Sequence, residues 1–194
     1  MFQVRIHGRG GQGVVTAAEL LAGAAFMEGK HAQAFPSFGS ERMGAPVVAF
    51  CRIDDREIRS REPVARPDAL IVQDPTLLHL VEVFEGLAPG GYLLINSAKS
   101  YDALHIAEYV ALLSPSHVTC LPATDLARLH IGRPIPNAAL LGGFAALCGL
   151  ISIDAVCAAI RERFPGQLGE KNVAAAVAAY SLVQQDGAKE VVTC

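Results

Sequence analysis

Short apolar runs separated by polar turns fill the first two thirds of the chain, and longer, almost uncharged stretches fill the last third. Phe2-Gln3-Val4-Arg5-Ile6 alternates with a period of two and predicts a strand. Ala17 to Ala25 reads as helix, and His31-Ala32-Gln33-Ala34-Phe35 as a second strand. Val47 to Ile53 predicts a third, followed by an Asp54-Asp55-Arg56 turn that leads to Glu57 and Ile58. The run Asp68 to Gln73 is nearly continuous in apolar residues, the pattern of a parallel strand buried on both faces. Asp74-Pro75-Thr76 then predicts a helix start, with Asp74 as N-cap and Pro75 in the first turn. Leu87 to Gly91 closes that unit, Tyr92 to Asn96 is the next strand, and His117 to Leu121 another, ending at Pro122. Helices are expected over Asn137 to Leu150, Ile153 to Phe164 and Glu170 to Gln185; Arg161 and Arg163 fall in a last turn, where they favour the helix dipole. This alternation predicts an α/β fold: one Rossmann-like domain over residues 1–194, with a mostly parallel sheet, helices on both faces and a helical C-terminal third. No repeat, low-complexity tract or linker interrupts it.

Composition narrows the function classes. A chain of 194 residues suffices for one α/β domain with a full core. Lys and Arg are scattered, aromatics are few and the net charge is only −3, which argues against a nucleic-acid partner. Hydrophobic residues make up 52% and charged ones 18%, a balance that suits a domain burying part of its surface in an assembly. No stretch reaches the roughly 18 apolar residues of a membrane span, and the start lacks a basic region followed by an apolar one, so a cytoplasmic location is expected. Cys51, Cys120, Cys148, Cys157 and Cys194 are dispersed with no C-x-x-C pair, and the six histidines form no H-x-x-x-H pair. Reduced thiols acting as core filler are expected, with no metal or iron–sulfur site in this chain.

The chemistry concentrates at the first turn. His7-Gly8-Arg9-Gly10-Gly11-Gln12-Gly13 follows a strand and precedes a helix, and Gly8, Gly10 and Gly13 fit G-x-G-x-x-G. Such a loop presents unpaired N–H groups at the positive end of a helix, an arrangement suited to a phosphate. Glycine permits close approach and positive φ. A plain strand-to-helix turn that binds nothing is the bland alternative. A dinucleotide site would further need a carboxylate at the end of the second strand. His31 to Phe35 ends without one; Glu28 falls too early and Glu41 too late, so a free-standing NAD(P)- or FAD-binding oxidoreductase is disfavoured.

A second loop, Phe35 to Pro46, carries two Phe, two Gly and the pair Glu41-Arg42. Arg42 pairs either with Glu41 or with an anionic ligand. Phe35 and Phe38 offer flat apolar surface or fill core; chemistry alone weighs these readings evenly. Together with G-R-G-G-Q-G, this loop resembles the γ subunit of the 2-oxoacid:ferredoxin oxidoreductases. The family's pattern continues through Val48 to Ile53, Asp54, Asp55 and Ile58, then the strand Asp68 to Asp74. It extends to Ile131-Gly132-Arg133-Pro134-Ile135-Pro136-Asn137 with Leu140 to Gly143, and to Glu170-Lys171-Asn172, so the resemblance spans nearly the whole chain.

The resemblance implies a subunit of a thiamine-diphosphate, iron–sulfur enzyme that interconverts a 2-oxoacid and CoA with acyl-CoA and CO2. It implies that α and β partners hold thiamine diphosphate and Mg2+, and that a β, δ or ferredoxin-like partner holds [4Fe-4S] clusters. Arg42-Met43-Gly44-Ala45-Pro46 is closer to the pyruvate-type pattern than to Arg-Gly-Gly, with aryl or branched-chain 2-oxoacids as alternatives. The chain itself lacks a G-D-G…N-N thiamine motif, a cysteine cluster and a nucleophile elbow, so it is expected to be inactive alone. Gly8, Arg9, Gly10, Gly11, Gln12 and Gly13, with Arg42, are the expected anion site, taking a CoA phosphate shared with a partner. Phe35, Phe38, Met43 and Pro46 are the expected partner interface. A purely structural assembly module is the remaining rival.

Overall fold

The computed structural model describes residues 1–37 and 43–192, of which 188–192 are described in backbone course only. Among these, six strands form one sheet: β1 (Phe2–Arg9), β2 (His31–Pro36), β3 (Pro46–Asp54), β4 (Ala69–Val72), β5 (Tyr92–Asn96) and β6 (Val118–Leu121), in the order β2-β3-β1-β4-β5-β6. The β1–β4, β4–β5 and β5–β6 pairings are parallel, while β3 runs antiparallel to both neighbours. β3 pairs with all of β1, from Phe2 opposite Ile53 to Arg9 opposite Pro46. The expected mostly parallel α/β sheet is borne out.

Period-two alternation assigns the two faces. Val4 and Ile6 of β1, with Ala49, Cys51, Ile71, Leu94 and Leu121, pack against α1 (Val14–Met27), α4 (Asn137–Cys148), α5 (Ile153–Arg163) and α6 (Gln167–Val192). Because α1 and α4 lie within this layer, both are apolar on most sides, and their small residues permit close approach. A Cβ on Gly142 would collide with the Ala176 carbonyl of α6, so the α4–α6 contact admits only glycine there. The opposite face carries Leu70, Val72, Leu93, Ile95 and Val118. It is covered by the 3₁₀ turn Pro75–His79, the single turn α2 (Ala107–Val110) and irregular segments. Two buried arginines fasten those segments. Arg5 donates to the carbonyls of Val83 and Glu85, and Arg52 to those of Ser60 and Glu62.

Several boundaries differ from the sequence reading. β1 runs on through Arg9 because β3 supplies partners up to Pro46, and α1 begins at Val14. The helix expected at Pro75 is a 3₁₀ turn of five residues, although Asp74 caps it as expected by accepting from the Thr76 N–H at 3.0 Å. α4 stops at Cys148, since Gly149 turns left-handed at φ 62°. The helix α3 (Ala123–Ile131) begins immediately after Pro122, where the sequence reading placed only a strand end.

Candidate functional site

The glycine loop lies at the carboxyl ends of β1 and β4, where the chain order reverses: β3 and β2 extend to one side of β1, and β4 to β6 to the other. This is the switch point at which open α/β sheets bind ligands. Gly11 at φ 90° and Gly13 at φ 74° carry the chain from β1 into α1. Gly13 is the N-cap of α1 and offers no side chain to its first N–H groups; no acid stands in the first turn. The starting amides of this 14-residue helix therefore keep their donor capacity and their positive dipole end. A cleft of about 320 Å3 opens there, between Arg9–Gly11, Gly13–Thr16 and Val47.

The loop's side chains serve the loop itself. Gln12 accepts the Arg9 N–H at 2.8 Å through Oε1 and donates through Nε2 to Asp74 Oδ2 at 2.8 Å. The Arg9 guanidinium reaches Asp74 at 3.2 Å, Thr76 Oγ1 at 2.7 Å and the Gly44 carbonyl at 2.9 Å. Arg9 and Gln12, both expected to contact the anion, are thus engaged within the chain. Burial alone would raise the Asp74 carboxyl, but hydrogen bonds from Thr76 and Gln12 and the Arg9 charge outweigh it and hold the pKa below its ordinary value.

Behind the loop, Gln73 is 2% exposed and donates from Nε2 to the Gln12 carbonyl and, at 2.8 Å, to Asn137 Oδ1. Asn137, the first residue of α4, donates from Nδ2 to the Gly13 carbonyl at 3.0 Å. Asn96 joins this network by donating to the Gln73 carbonyl at 2.9 Å and accepting the Thr124 N–H at 3.1 Å. The sequence reading left Gln73, Asn96 and Asn137 without a role. Their signal was a lone polar amide at the end of an apolar strand or at the start of an uncharged helix.

The expected interface residues sit unequally. Met43 is 88% exposed and Pro46 is exposed, whereas Phe35 is half-buried, its ring 5.2 Å from that of Phe50 and 5.1 Å from the Arg52 guanidinium. The segment from Met43 is tied to the glycine loop: Gly10 donates to the Ala45 carbonyl at 2.9 Å and Gly44 to the Gly10 carbonyl at 3.0 Å. Phe38 and Arg42 lie outside the described residues.

Beyond the positive φ at Gly11 and Gly13, the glycines meet a second demand. A Cβ at Gly8 would meet Val14 at 2.6 Å, one at Gly11 would meet Met43 Sδ at 2.5 Å, and one at Gly13 would collide with the Asn137 amide. At Gly8 and Gly13 the missing side chain makes room for the buried Val14 and Asn137, whereas at Gly11 the neighbour is the tip of an exposed methionine and the positive φ is the stronger demand.

A dinucleotide site fits this frame poorly. β3 separates β2 from β1, which puts the end of β2 two strand spacings, roughly 10 Å, from the glycine loop. Among the described residues no group of three or more His, Cys, Asp or Glu is arranged to hold a metal. The described cysteines are dispersed; burial pushes the Cys120 and Cys148 thiols up to about 11. These residues do not fit an iron–sulfur cluster or a magnesium–diphosphate centre. Among the described residues no helix is long and apolar enough to cross a membrane.

Comparison with known proteins agrees with the motifs. Residues 3–182 match the pyruvate ferredoxin/flavodoxin oxidoreductase family. The pyruvate synthase subunit PorC of Methanothermobacter marburgensis is 46% identical over 96% of this chain and 100% of its own length. A pyruvate/ketoisovalerate oxidoreductases common subunit gamma from Thermococcus kodakarensis is 48% identical over 93% of this chain and 96% of its own. The crystal structure of the pyruvate oxidoreductase subunit PORC from Thermotoga maritima superposes with a TM-score of 0.78 at 36% identity, over 93% of this chain and 95% of that one. With its motifs, its sheet order and these likenesses in agreement, the chain belongs to the pyruvate ferredoxin/flavodoxin oxidoreductase family.

Proposed function

We propose that this chain is the γ subunit of a 2-oxoacid:ferredoxin-type oxidoreductase, acting on pyruvate or a related 2-oxoacid, and that its glycine loop holds a phosphate of CoA. α and β partners, with a δ or ferredoxin-like one, supply thiamine diphosphate, Mg2+ and the [4Fe-4S] clusters; these groups supply decarboxylation and electron transfer. This chain contributes orientation of the acyl acceptor rather than a reacting group. The observation that carries the reading is the uncapped, acid-free start of α1 opening onto the cleft at the sheet's switch point. Arg9 acts by holding the loop in shape, and Met43 and Pro46 present the surface that meets a partner. The relative from Thermococcus kodakarensis is named as common to pyruvate and ketoisovalerate oxidoreductases, which favours partners as the source of 2-oxoacid specificity.

A second reading is favoured by the glycines, whose missing side chains admit Val14, Met43 and Asn137: the loop is then a packing turn within an assembly module. Thr16→Glu separates the two. Thr16 lines the cleft in the first turn of α1, where a carboxylate suits the helix dipole and leaves folding intact. In the complex purified with its partners, the Michaelis constant for CoA should rise about tenfold or more, because the new charge repels a phosphate at the same amides. An unchanged CoA dependence would establish the packing turn. Turnover of pyruvate and CoA by the lone chain would overturn the subunit reading altogether.

A further inference from the structure

The geometry points to Gln73 and Asn137 as positioning residues that aim the amide donors of the glycine loop; this rests on the CoA-phosphate reading above. A peptide unit is planar, with its C=O and N–H pointing in opposite directions. The Gln12 carbonyl shares a plane with the Gly13 N–H, and the Gly13 carbonyl shares one with the Val14 N–H. Gln73 Nε2 holds the Gln12 carbonyl, and Asn137 Nδ2 holds the Gly13 carbonyl at 3.0 Å. Fastening each carbonyl from behind therefore turns the Gly13 and Val14 N–H groups forward, toward the cleft that both residues line. Glycine makes this necessary. At φ 74°, Gly13 has no side chain to resist rotation of the planes on either side of it.

The two amides also hold each other. Gln73 donates to Asn137 Oδ1 at 2.8 Å, which fixes the Asn137 side chain with its Nδ2 toward Gly13. Donation into a carbonyl further polarises the N–H at the other end of the same peptide unit, so the fastened units become stronger donors to an anion. Gln73 bears a cost in this arrangement: its Oε1 is buried and has no partner. The arrangement thus commits the Gln73 donors to the loop and to Asn137 and leaves its acceptor unpaired, a cost that the positioning role explains. Asn137 stands 124 residues from Gly13, so the aim of the loop depends on the docking of α4.

The test uses the oxidoreductase assembled with its own partner subunits and CoA as the varied substrate. Gln73→Met is close in shape and removes the orphaned carbonyl together with both donors; Asn137→Ala removes the other fastening. In each folded and assembled variant the Michaelis constant for CoA should rise about tenfold while kcat falls less, because alignment of donors is lost and the remainder of the machinery is kept. Thr16→Glu, run beside them, decides the parent reading. If it leaves CoA dependence unchanged, the loop is not the CoA site. If it raises the constant and Gln73→Met and Asn137→Ala do not, the positioning role alone is overturned. A second readout needs no turnover. In the isotope-labelled full chain, the Gly13 and Val14 amide resonances should shift and broaden in Gln73→Met; resonances identical to the parent's would refute the inference even if Asn137→Ala failed to fold.

Discussion

His7 shows how a single residue records its surroundings. It lies on the face of β1 opposite α1, 5% exposed, with neither ring nitrogen hydrogen-bonded. Burial and, secondarily, the Arg5 charge push its pKa down to about 4 from 6.5. Above pH 6.5 the ring is neutral in both folded and unfolded chains and has no effect on the balance. As pH falls from 6.5 to about 4, the unfolded chain takes up the proton and the folded one does not, so stability declines with falling pH. The loss levels off near 3 kcal/mol below the folded pKa, an order-of-magnitude figure. His7→Leu should therefore match or exceed the parent at about pH 7 and gain on it by about 2 kcal/mol by about pH 4.5, measured by urea unfolding. A stability difference that does not change with pH would show that His7 takes up its proton equally readily in the folded and unfolded chains.

Among the elements, α4 and the strip from Met43 to Pro46 make the clearest contrast. Leu140 is 1% exposed inside the helical layer, so Leu140→Asp strands a charge without a partner and should cost 3 kcal/mol or more, by the usual size of that effect. Met43→Asp, at 88% exposure, should change the stability of the lone chain by less than about 0.5 kcal/mol yet lower its recovery with partner subunits. Equal losses of thermal stability would sink the interface assignment. Elements with a strong period were legible in the sequence: β1, β4, β5 and the start of α4 fall where apolar spacing put them. What escaped had a physical reason. α3 follows Pro122 without a gap, and a proline at an N-cap gives the same local signal as one that simply ends a strand. The 3₁₀ turn at Pro75 satisfies the same cap signal as an α-helix, and the signal does not encode length. Antiparallel β3 lies between β1 and β2, a placement settled by long-range pairing that no local pattern carries. At the site, the glycines were legible and the polar amides behind them were not, because Gln73 and Asn137 meet only through the fold.

On the scale of the whole molecule, the two faces of the sheet are built to different standards. One carries a continuous layer of α1, α4, α5 and α6; the other is shielded by the Pro75–His79 turn, the one-turn α2 and irregular chain. The thinner side also leaves Leu80 and Leu112 exposed at 63% and 81%. This imbalance has a kinetic consequence. Opening the thinner cover uncovers the smaller of the two buried clusters and breaks no long helix, so it should cost less than opening the helical layer. Amide protons over residues 98–117 should then exchange with deuterium through local opening, with little sensitivity to dilute denaturant. Those of β1 and β4 should exchange only when the entire chain unfolds, and so accelerate with denaturant along the global slope. Uniform exchange across both sets would mean that the two faces open as one cooperative unit. The side of the sheet with the lighter cover is thereby the one on which this protein breathes, while the glycine loop is rooted in the strand that yields last.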